Sequence, residues 1–402
     1  MQHIKWAENR FKGRWQHMKS AELYSAERME KVNDFHASMP GYEQTPLYEL
    51  KNLSELLGVG SIYVKDESGR FGLNAFKGLG VSYAMAEYFA GKLNIDLDDF
   101  TFDELLGKVS DSPTVIFSTA TDGNHGKGVA WASELFHQEG RVYMPEGTAK
   151  SRLDAVLEYG AEGMITEMNY DETVEHVQEI SRENGWVHIQ DTAWEGYTEL
   201  PMYIMQGYTT IIAELERQLQ GENPGEVTHV ILQAGVGSFA GAMAAAIYNL
   251  TGGRSPRIIV VEPQKADCLH QSAKSEDGSP VRVHGSLDSM MAGLSCGAPS
   301  PAGWEILKSV ADGFASCDDS VSATGMRVLG NPAGEDKKVI SGESGAVPLG
   351  FLYEVMTNEE YGCLKEQLGL GADSKVLTIS TEGDTDPDNY RRVVWDGRDG
   401  YG

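Results

Sequence analysis

Short apolar runs alternate with helical stretches along most of this chain, and that alternation restricts its fold more than any other feature. Ser61-Ile62-Tyr63-Val64-Lys65 alternates as a strand, and Thr114-Val115-Ile116-Phe117-Ser118 is a short apolar run best taken as a buried strand. Residues 141–144, 164–166, 187–190, 227–233, 257–261 and 375–380 read as strands as well. After Lys77 the positions Val81, Ala84, Met85, Tyr88 and Phe89 recur at helical spacing, and further helices are expected over 127–135, 149–159, 171–184, 201–219 and 238–250. Strands separated by helices of about 10–15 residues argue for parallel βαβ units. The expected fold class is therefore α/β, doubly wound. Eight or so strands over 402 residues exceed one comfortable core, so two sheets are expected.

The remaining segments are less regular. Residues 1–44 mix charges and aromatics, with helical spacing through 20–32, and read as a helical lead-in. Pro46 makes Thr45-Pro46-Leu47 extended or a turn. The acidic stretch 94–112, with Asp96, Asp98, Asp99, Asp103 and Glu104, reads as a solvated insertion, and the polar stretch 271–300 as a mobile loop. Helices are expected near 302–314 and 345–356. The expected division is a large cofactor-binding domain, residues 1–83 plus 204–402, and a small domain, residues 84–203.

Composition excludes some partners. With 41% apolar residues there is material for a sizeable core, and a net charge of −27 disfavours nucleic-acid and anionic-membrane partners, which demand clustered Lys and Arg. No apolar run approaches the ~20 residues that span a bilayer, and the N-terminus lacks the apolar stretch of a signal peptide. A soluble, cytoplasmic protein is expected. Cys268, Cys296, Cys317 and Cys363 form no C-x-x-C pair and have no histidine at metal spacing, so no metal site is expected. They read as four reduced thiols, with a bond between Cys268 and Cys296 left open.

Three stretches carry chemistry. The strand at 227–233 runs into Ala234-Gly235-Val236-Gly237-Ser238 and then a helix, which puts backbone N–H groups and a positive helix end where a phosphate can sit. The same loop satisfies the loose dinucleotide fingerprint Gly235-x-Gly237-x-x-Ala240, and Glu262 ends the next strand where a ribose-binding acid would stand. By itself the loop does not choose between pyridoxal phosphate, NAD and a plain structural turn. In Asn74-Ala75-Phe76-Lys77-Gly78-Leu79-Gly80 a lysine sits just inside a helix start, beside apolar Ala75 and Phe76. Most lysines face solvent, but one buried there can lose its proton and act as a nucleophile. In Thr119-Ala120-Thr121-Asp122-Gly123-Asn124-His125-Gly126, Asn124 can bond a ring oxygen or cap the next helix, Asp122 can be an N-cap, and His125 is a helix-start residue given no role. Asp191, after the 187–190 strand, is either a cap or a functional acid. Together these stretches look like an amine nucleophile, a ring-hydroxyl partner and a phosphate cradle.

Val64-Lys65-Asp66-Glu67-Ser68 with Ala75-Phe76-Lys77-Gly78 resembles the lysine motif of the fold-type II pyridoxal-phosphate enzymes, the threonine synthase and serine/threonine dehydratase group. Further matches follow in the same chain order: Thr45-Pro46-Leu47, Asn124-His125-Gly126, Met144-Pro145-Glu146-Gly147-Thr148, Tyr159-Gly160-Ala161-Glu162, Gln206-Gly207-Tyr208-Thr209 and the Gly235 loop. Within that group the chain is most similar to the diaminopropionate ammonia-lyase family. Asp122 stands where dehydratases usually have a small residue, Gln190-Asp191-Thr192-Ala193-Trp194-Glu195-Gly196-Tyr197 supplies a second aspartate, and the acidic insertion fits the lyase better.

The resemblance implies two doubly wound domains with largely parallel sheets and the active site between them, and a homodimer. It implies pyridoxal phosphate held as a Schiff base by Lys77, with Asn124 on the ring oxygen and Gly235, Val236, Gly237 and Ser238 on the phosphate. Ser380-Thr381-Glu382-Gly383-Asp384 stands where the family has Ser-Gly-Gly-Asn, so Thr381 would face the pyridine nitrogen with a neutral hydroxyl. The implied activity is α,β-elimination of 2,3-diaminopropionate, L and D isomers, to pyruvate and ammonia. Lys77 would take the α proton of the L isomer and Asp122 that of the D isomer, while Asp191, with Thr121 and Asp122, holds the small amino-acid substrate. The rivals are a serine or threonine dehydratase and an NAD-dependent oxidoreductase built on residues 227–262. Too little chain follows Thr385 for the regulatory domain of an allosteric dehydratase.

Overall fold

Strands form wherever the apolar runs predict them, and in three further places. In chain order they are β1 (Ile4–Glu8), β2 (Leu47–Glu49), β3 (Ser61–Asp66), β4 (Ile116–Ala120), β5 (Glu139–Met144) and β6 (Glu162–Ile165). The others are β7 (Val187–His188), β8 (His229–Gln233), β9 (Arg257–Pro263), β10 (Gly313–Cys317) and β11 (Lys375–Ser380). This is a computed structural model, and it describes residues 3–13, 15, 19–121, 123–194, 196–220, 227–252 and 256–399.

Two sheets result. The larger has the order β1-β10-β9-β8-β11-β3-β2, parallel from β10 through β3, with the edge strands β1 and β2 antiparallel to their neighbours. Every residue of β8 and of β10 is buried, as parallel strands covered by helices on both faces must be. The core around this sheet is built from Ile62, Val64, Ile231, Ile259, Val261, Ala315, Val347 and Val376, among others. The smaller sheet, β6-β5-β4-β7, is wholly parallel.

By contact the chain divides into two units: Met1–Ala26 with Gln44–Gly69 and Ile211–Gly402, and Glu27–Glu43 with Arg70–Thr210. The first holds the large sheet and the second the small one. Residues 70–83, including Lys77, therefore fall in the second unit, where the sequence placed them in the first. The reason is close packing by the helix Lys77–Leu93. A Cβ on Gly80 would lie 2.8 Å from the Ile204 carbonyl oxygen, and one on Gly207 would lie 2.8 Å from Gly80 Cα, so the two backbones nearly touch. A helix moves as one rod, and its first turn goes where the rest packs.

Three other segments differ from expectation. β1 arises inside the supposed helical lead-in, because the Ile4 to Glu8 segment gains a partner only from β10, more than 300 residues away in sequence. β10 itself lies at the end of the helix expected over 302–314. Its Gly313 sits under the Trp6 ring, where a Cβ would collide. The acidic stretch 94–112 is not simply solvated. Its helix Phe102–Val109 starts at a Thr101–Glu104 capping box and buries Phe102, Leu105 and Val109 on one face. The stretch 271–300 is irregular yet tied down: Gly278 O accepts from Trp304 Nε1 and Lys308 Nζ, both at 2.9 Å, and Val283 N donates to Gly297 O at 2.7 Å. Among the described residues no helix is long and apolar enough to cross a membrane.

Candidate active site

Lys77 opens its helix after a turn in which Asn74 takes a left-handed conformation, φ 58°. The helix Asn124–Leu135 crosses at this point: a Cβ on Gly128 would lie 3.4 Å from Lys77 C and Gly78 N. Asn124 is one turn before Gly128 on the same helical face. Lys77 Nζ donates to Asp191 Oδ2 at 2.5 Å, and both side chains keep modest exposure, 19% and 17%. The amine also lies 5.3 Å from the Phe76 ring centre and 5.9 Å from that of Tyr208, and the two rings are 4.7 Å apart. Two aromatic faces and one carboxylate thus surround the ammonium.

Asp191 is held by its own neighbours. Gln190 N donates to Tyr197 Oη at 2.8 Å, and that phenol donates to His188 O at 2.9 Å. The Gln190 side chain bridges to the end of β4, accepting from Thr119 Oγ1 at 2.9 Å and donating to Ala120 O at 2.8 Å. Burial by itself would raise the Asp191 carboxyl, but the Lys77 ammonium and His125 outweigh it and hold the group at about 2. His125 Nε2 donates to Ile189 O at 3.0 Å, and Nδ1 lies 3.9 Å from Asp191 Oδ2. Burial pushes this imidazole down, with Asp191 opposing and Lys77 adding to the shift.

A second lysine, Lys65 on β3, is more deeply buried but fully committed. Its Nζ donates to Glu214 Oε2 at 2.6 Å, Thr45 O at 2.8 Å and Gln218 Oε1 at 2.9 Å, three acceptors for three protons. It is a structural ion pair.

In the other unit, the loop after β8 has the features of an anion cradle. Gly237 has φ +95° and caps the helix Ser238–Leu250 without a side-chain oxygen. A Cβ on Gly235 would lie 3.2 Å from Leu294 Cα and 3.3 Å from Cys296 Sγ, so a side chain there would press on that segment. β8 and β11 are parallel neighbours, so Gly235 to Ser238 and Thr381 leave the same carboxyl edge of the sheet, where ligands of open α/β sheets bind. Thr381 is 4% exposed and accepts from Gln233 Nε2 at 2.8 Å. A glycine loop at a helix start suits a phosphate, and a buried hydroxyl stands at the same edge of the sheet. The dinucleotide alternative loses its acid: Glu262 is spent accepting from Leu269 N and His270 N at 2.8 and 2.7 Å.

Residues 39–381 match the family described as pyridoxal-phosphate dependent enzyme. Diaminopropionate ammonia-lyase of Escherichia coli strain K12 is 48% identical over 381 residues, 94% of each chain. This chain belongs to the diaminopropionate ammonia-lyase family. Two crystal structures of the Escherichia coli enzyme align with it, both 45% identical. One, in complex with an aminoacrylate-PLP azomethine reaction intermediate, has a TM-score of 0.91 over 99% of this chain and 98% of that one. The other, in complex with D-serine, has a TM-score of 0.92 over 98% of each. The fold-type II architecture is thereby established, and the cofactor is pyridoxal phosphate.

For this diaminopropionate ammonia-lyase family member, the structure brings Lys77 and Asp191 together and sets Asn124 on the helix that crosses at Lys77. Asp122 lies outside the described residues. Thr121 Oγ1 accepts from Gly123 N at 3.1 Å, which shapes the loop. None of the four cysteines is in a disulfide, so Cys268 and Cys296 are not bonded. Tyr208 and Gln190, near Lys77 and Asp191, and Gln233, bonded to Thr381, are residues that the sequence offered without a role. Each appears within a quoted motif or at a strand end, but no local spacing reports what a side chain meets across the fold.

The depressed Asp191 group has a consequence for the cofactor-free protein. Its folded-state value, about 2, is below the unfolded ~3.9, so its stabilisation is present above about pH 4 and disappears as pH falls toward 2. The size is roughly 2–3 kcal/mol. Asp191→Asn is expected to lower the urea midpoint at about pH 6 and to converge with the parent near about pH 2–3. A gap between the two proteins that stays constant across that range would show that the pair does not titrate this way.

Proposed function

We propose that the chain eliminates ammonia from 2,3-diaminopropionate, accepting the L and D isomers, and releases pyruvate and a second ammonia. The observation that carries this is the Lys77–Asp191 pair at 2.5 Å: an ionised aspartate in the site already binds a primary ammonium. The β-ammonium of the substrate is chemically the same group, and it can take the place of the Lys77 ammonium on Asp191 once Lys77 is engaged elsewhere. A carboxylate held near 2 is a poor proton donor at neutral pH, so Asp191 positions the leaving group and favours its protonated form. Protonation is what lets an amine depart.

Pyridoxal phosphate, when bound, supplies the electron sink that stabilises charge at Cα. The remaining work falls to side chains. Lys77 holds the cofactor covalently and, when its amine is released, removes the α proton of the L isomer. Asn124 would bond the ring oxygen, residues 235–238 would hold the phosphate through backbone N–H groups, and Thr381 would meet the pyridine nitrogen. Asp122 removes the α proton of the D isomer from the opposite face, and Thr121 helps shape the substrate pocket. Support for D isomers comes from the Escherichia coli relative, whose crystal structure holds D-serine. A homodimer in the cytoplasm completes the proposal.

The test is pyruvate release from L- and D-diaminopropionate, serine and threonine. Diaminopropionate is expected to be turned over best; serine above it would favour a dehydratase instead. Asp122→Asn is expected to reduce D-isomer turnover at least about tenfold more than L-isomer turnover, the weight of one general base. Equal losses on both isomers would remove the division of labour between Asp122 and Lys77.

A further inference from the structure

Gln233, the last residue of β8, is 1% exposed. Its Nε2 donates to Ile379 O at 2.9 Å and to Thr381 Oγ1 at 2.8 Å. The carbonyl of Ile379 can only accept, so the nitrogen must be on that side of the amide; the flipped rotamer would set two oxygens against each other. Both amide protons are therefore committed, one to Ile379 and one to Thr381. A hydroxyl that accepts from one partner keeps its own proton for another. Among the described residues the Thr381 proton has no acceptor, although the side chain is 4% exposed. A buried hydroxyl donor is thus presented at the carboxyl edge of the sheet, beside the Gly235 loop.

We propose that Gln233 is a positioning residue that fixes the polarity of the Thr381 hydroxyl, making it a donor that only an unprotonated pyridine nitrogen can accept. This rests on the assignment of Thr381 to that nitrogen. Gln233 would then decide the protonation state of the cofactor ring without touching it. A neutral ring withdraws fewer electrons, which suits prompt loss of a β leaving group. The Gln233 Oε1 atom, buried and without a hydrogen-bond partner among the described residues, shows that the amide is oriented for its two donated bonds rather than for its own acceptor.

The isosteric change Gln233→Glu reverses the arrangement. A carboxylate can only accept, and a neutral carboxyl would give its proton to Ile379 O; in both cases Thr381 must donate to residue 233 and turn a lone pair outward. Only a protonated pyridine nitrogen matches that lone pair. The test uses holoenzyme loaded with pyridoxal phosphate labelled with nitrogen-15 at the ring, read by NMR. The expected result is an unprotonated, hydrogen-bonded nitrogen in the parent and a shift into the pyridinium range in Q233E. Gln233→Leu should leave the nitrogen unprotonated and weaken cofactor retention about five- to tenfold, the weight of one hydrogen bond left unoriented. A purely structural glutamine would lower thermal stability in both variants and leave the resonance in place. Thr381→Val separates the two ideas. If T381V moves the resonance and Q233E does not, the role of Gln233 is wrong; if T381V itself leaves it unmoved, the Thr381 assignment fails and the proposal falls with it.

Discussion

Replacing Lys77 by alanine is expected to reduce pyruvate release from L-diaminopropionate by roughly 10³-fold or more, since one side chain supplies both the covalent attachment and the α-proton base. Borohydride treatment of the parent should leave a stable cofactor adduct on the peptide containing Lys77 and none in the variant. The structure makes this a demanding test, because a second lysine offers an alternative. Lys65 is fully buried, and burial alone is the usual argument for an activated amine. Its ammonium, however, is paired with Glu214 at 2.6 Å and has no proton to spare, whereas Lys77 has a carboxylate on one side and aromatic faces on the other. Lys77 can leave its partner without stranding a charge in a dry core, since Asp191 keeps 17% exposure. An adduct on Lys65, or full activity in the alanine variant, would remove the central assignment. Arginine at position 77 should fail equally, because a guanidinium keeps its proton.

What the sequence conveyed and what it withheld follow from the range of each signal. The βα alternation is local, and so is the association of a glycine loop with a helix start; both could be placed within a few residues. Strands that owe their existence to a distant partner were not visible: β1 is a strand because β10 lies beside it, and β10 is short, glycine-led and poor in β-branched residues. The insertion 94–112 was misjudged because its acids dominate by number, while Phe102, Leu105 and Val109 carry the helical face that decides its burial. The same limit applies to the site. Lys77 and Asp191 each stand out in their own segment, but 114 residues separate them, and nothing in either neighbourhood announces the bond. Nor does a sequence reveal that Gln233 shares its amide protons between Ile379 and Thr381, since that depends on β8 and β11 being neighbours.

The bond between Lys77 and Asp191 leads to the second large effect. Asp191→Asn keeps the size of the side chain and its capacity to accept one hydrogen bond, while it removes the charge and turns the second oxygen into an amide donor. A charge-assisted bond to a cation contributes about 1.5–3 kcal/mol, so kcat/KM for L-diaminopropionate should fall about 10- to 100-fold. Serine presents a neutral hydroxyl at the same carbon and forms no ion pair with Asp191, so its turnover should fall by clearly less than that of diaminopropionate. The ratio of the two substrates is therefore the informative quantity. It cancels losses from altered cofactor loading or stability, which act on both equally. It also separates positioning from proton donation. Paired with the substrate's β-ammonium as it is with Lys77 in the cofactor-free protein, the carboxyl stays ionised through the neutral range, so the parent should show no acidic limb between about pH 5 and 7 that the asparagine variant lacks. Equal losses on both substrates would show that Asp191 braces the loop without reading the β-ammonium. Loss of such a limb would show that it delivers a proton, and that its pairing with Lys77 belongs only to the resting protein.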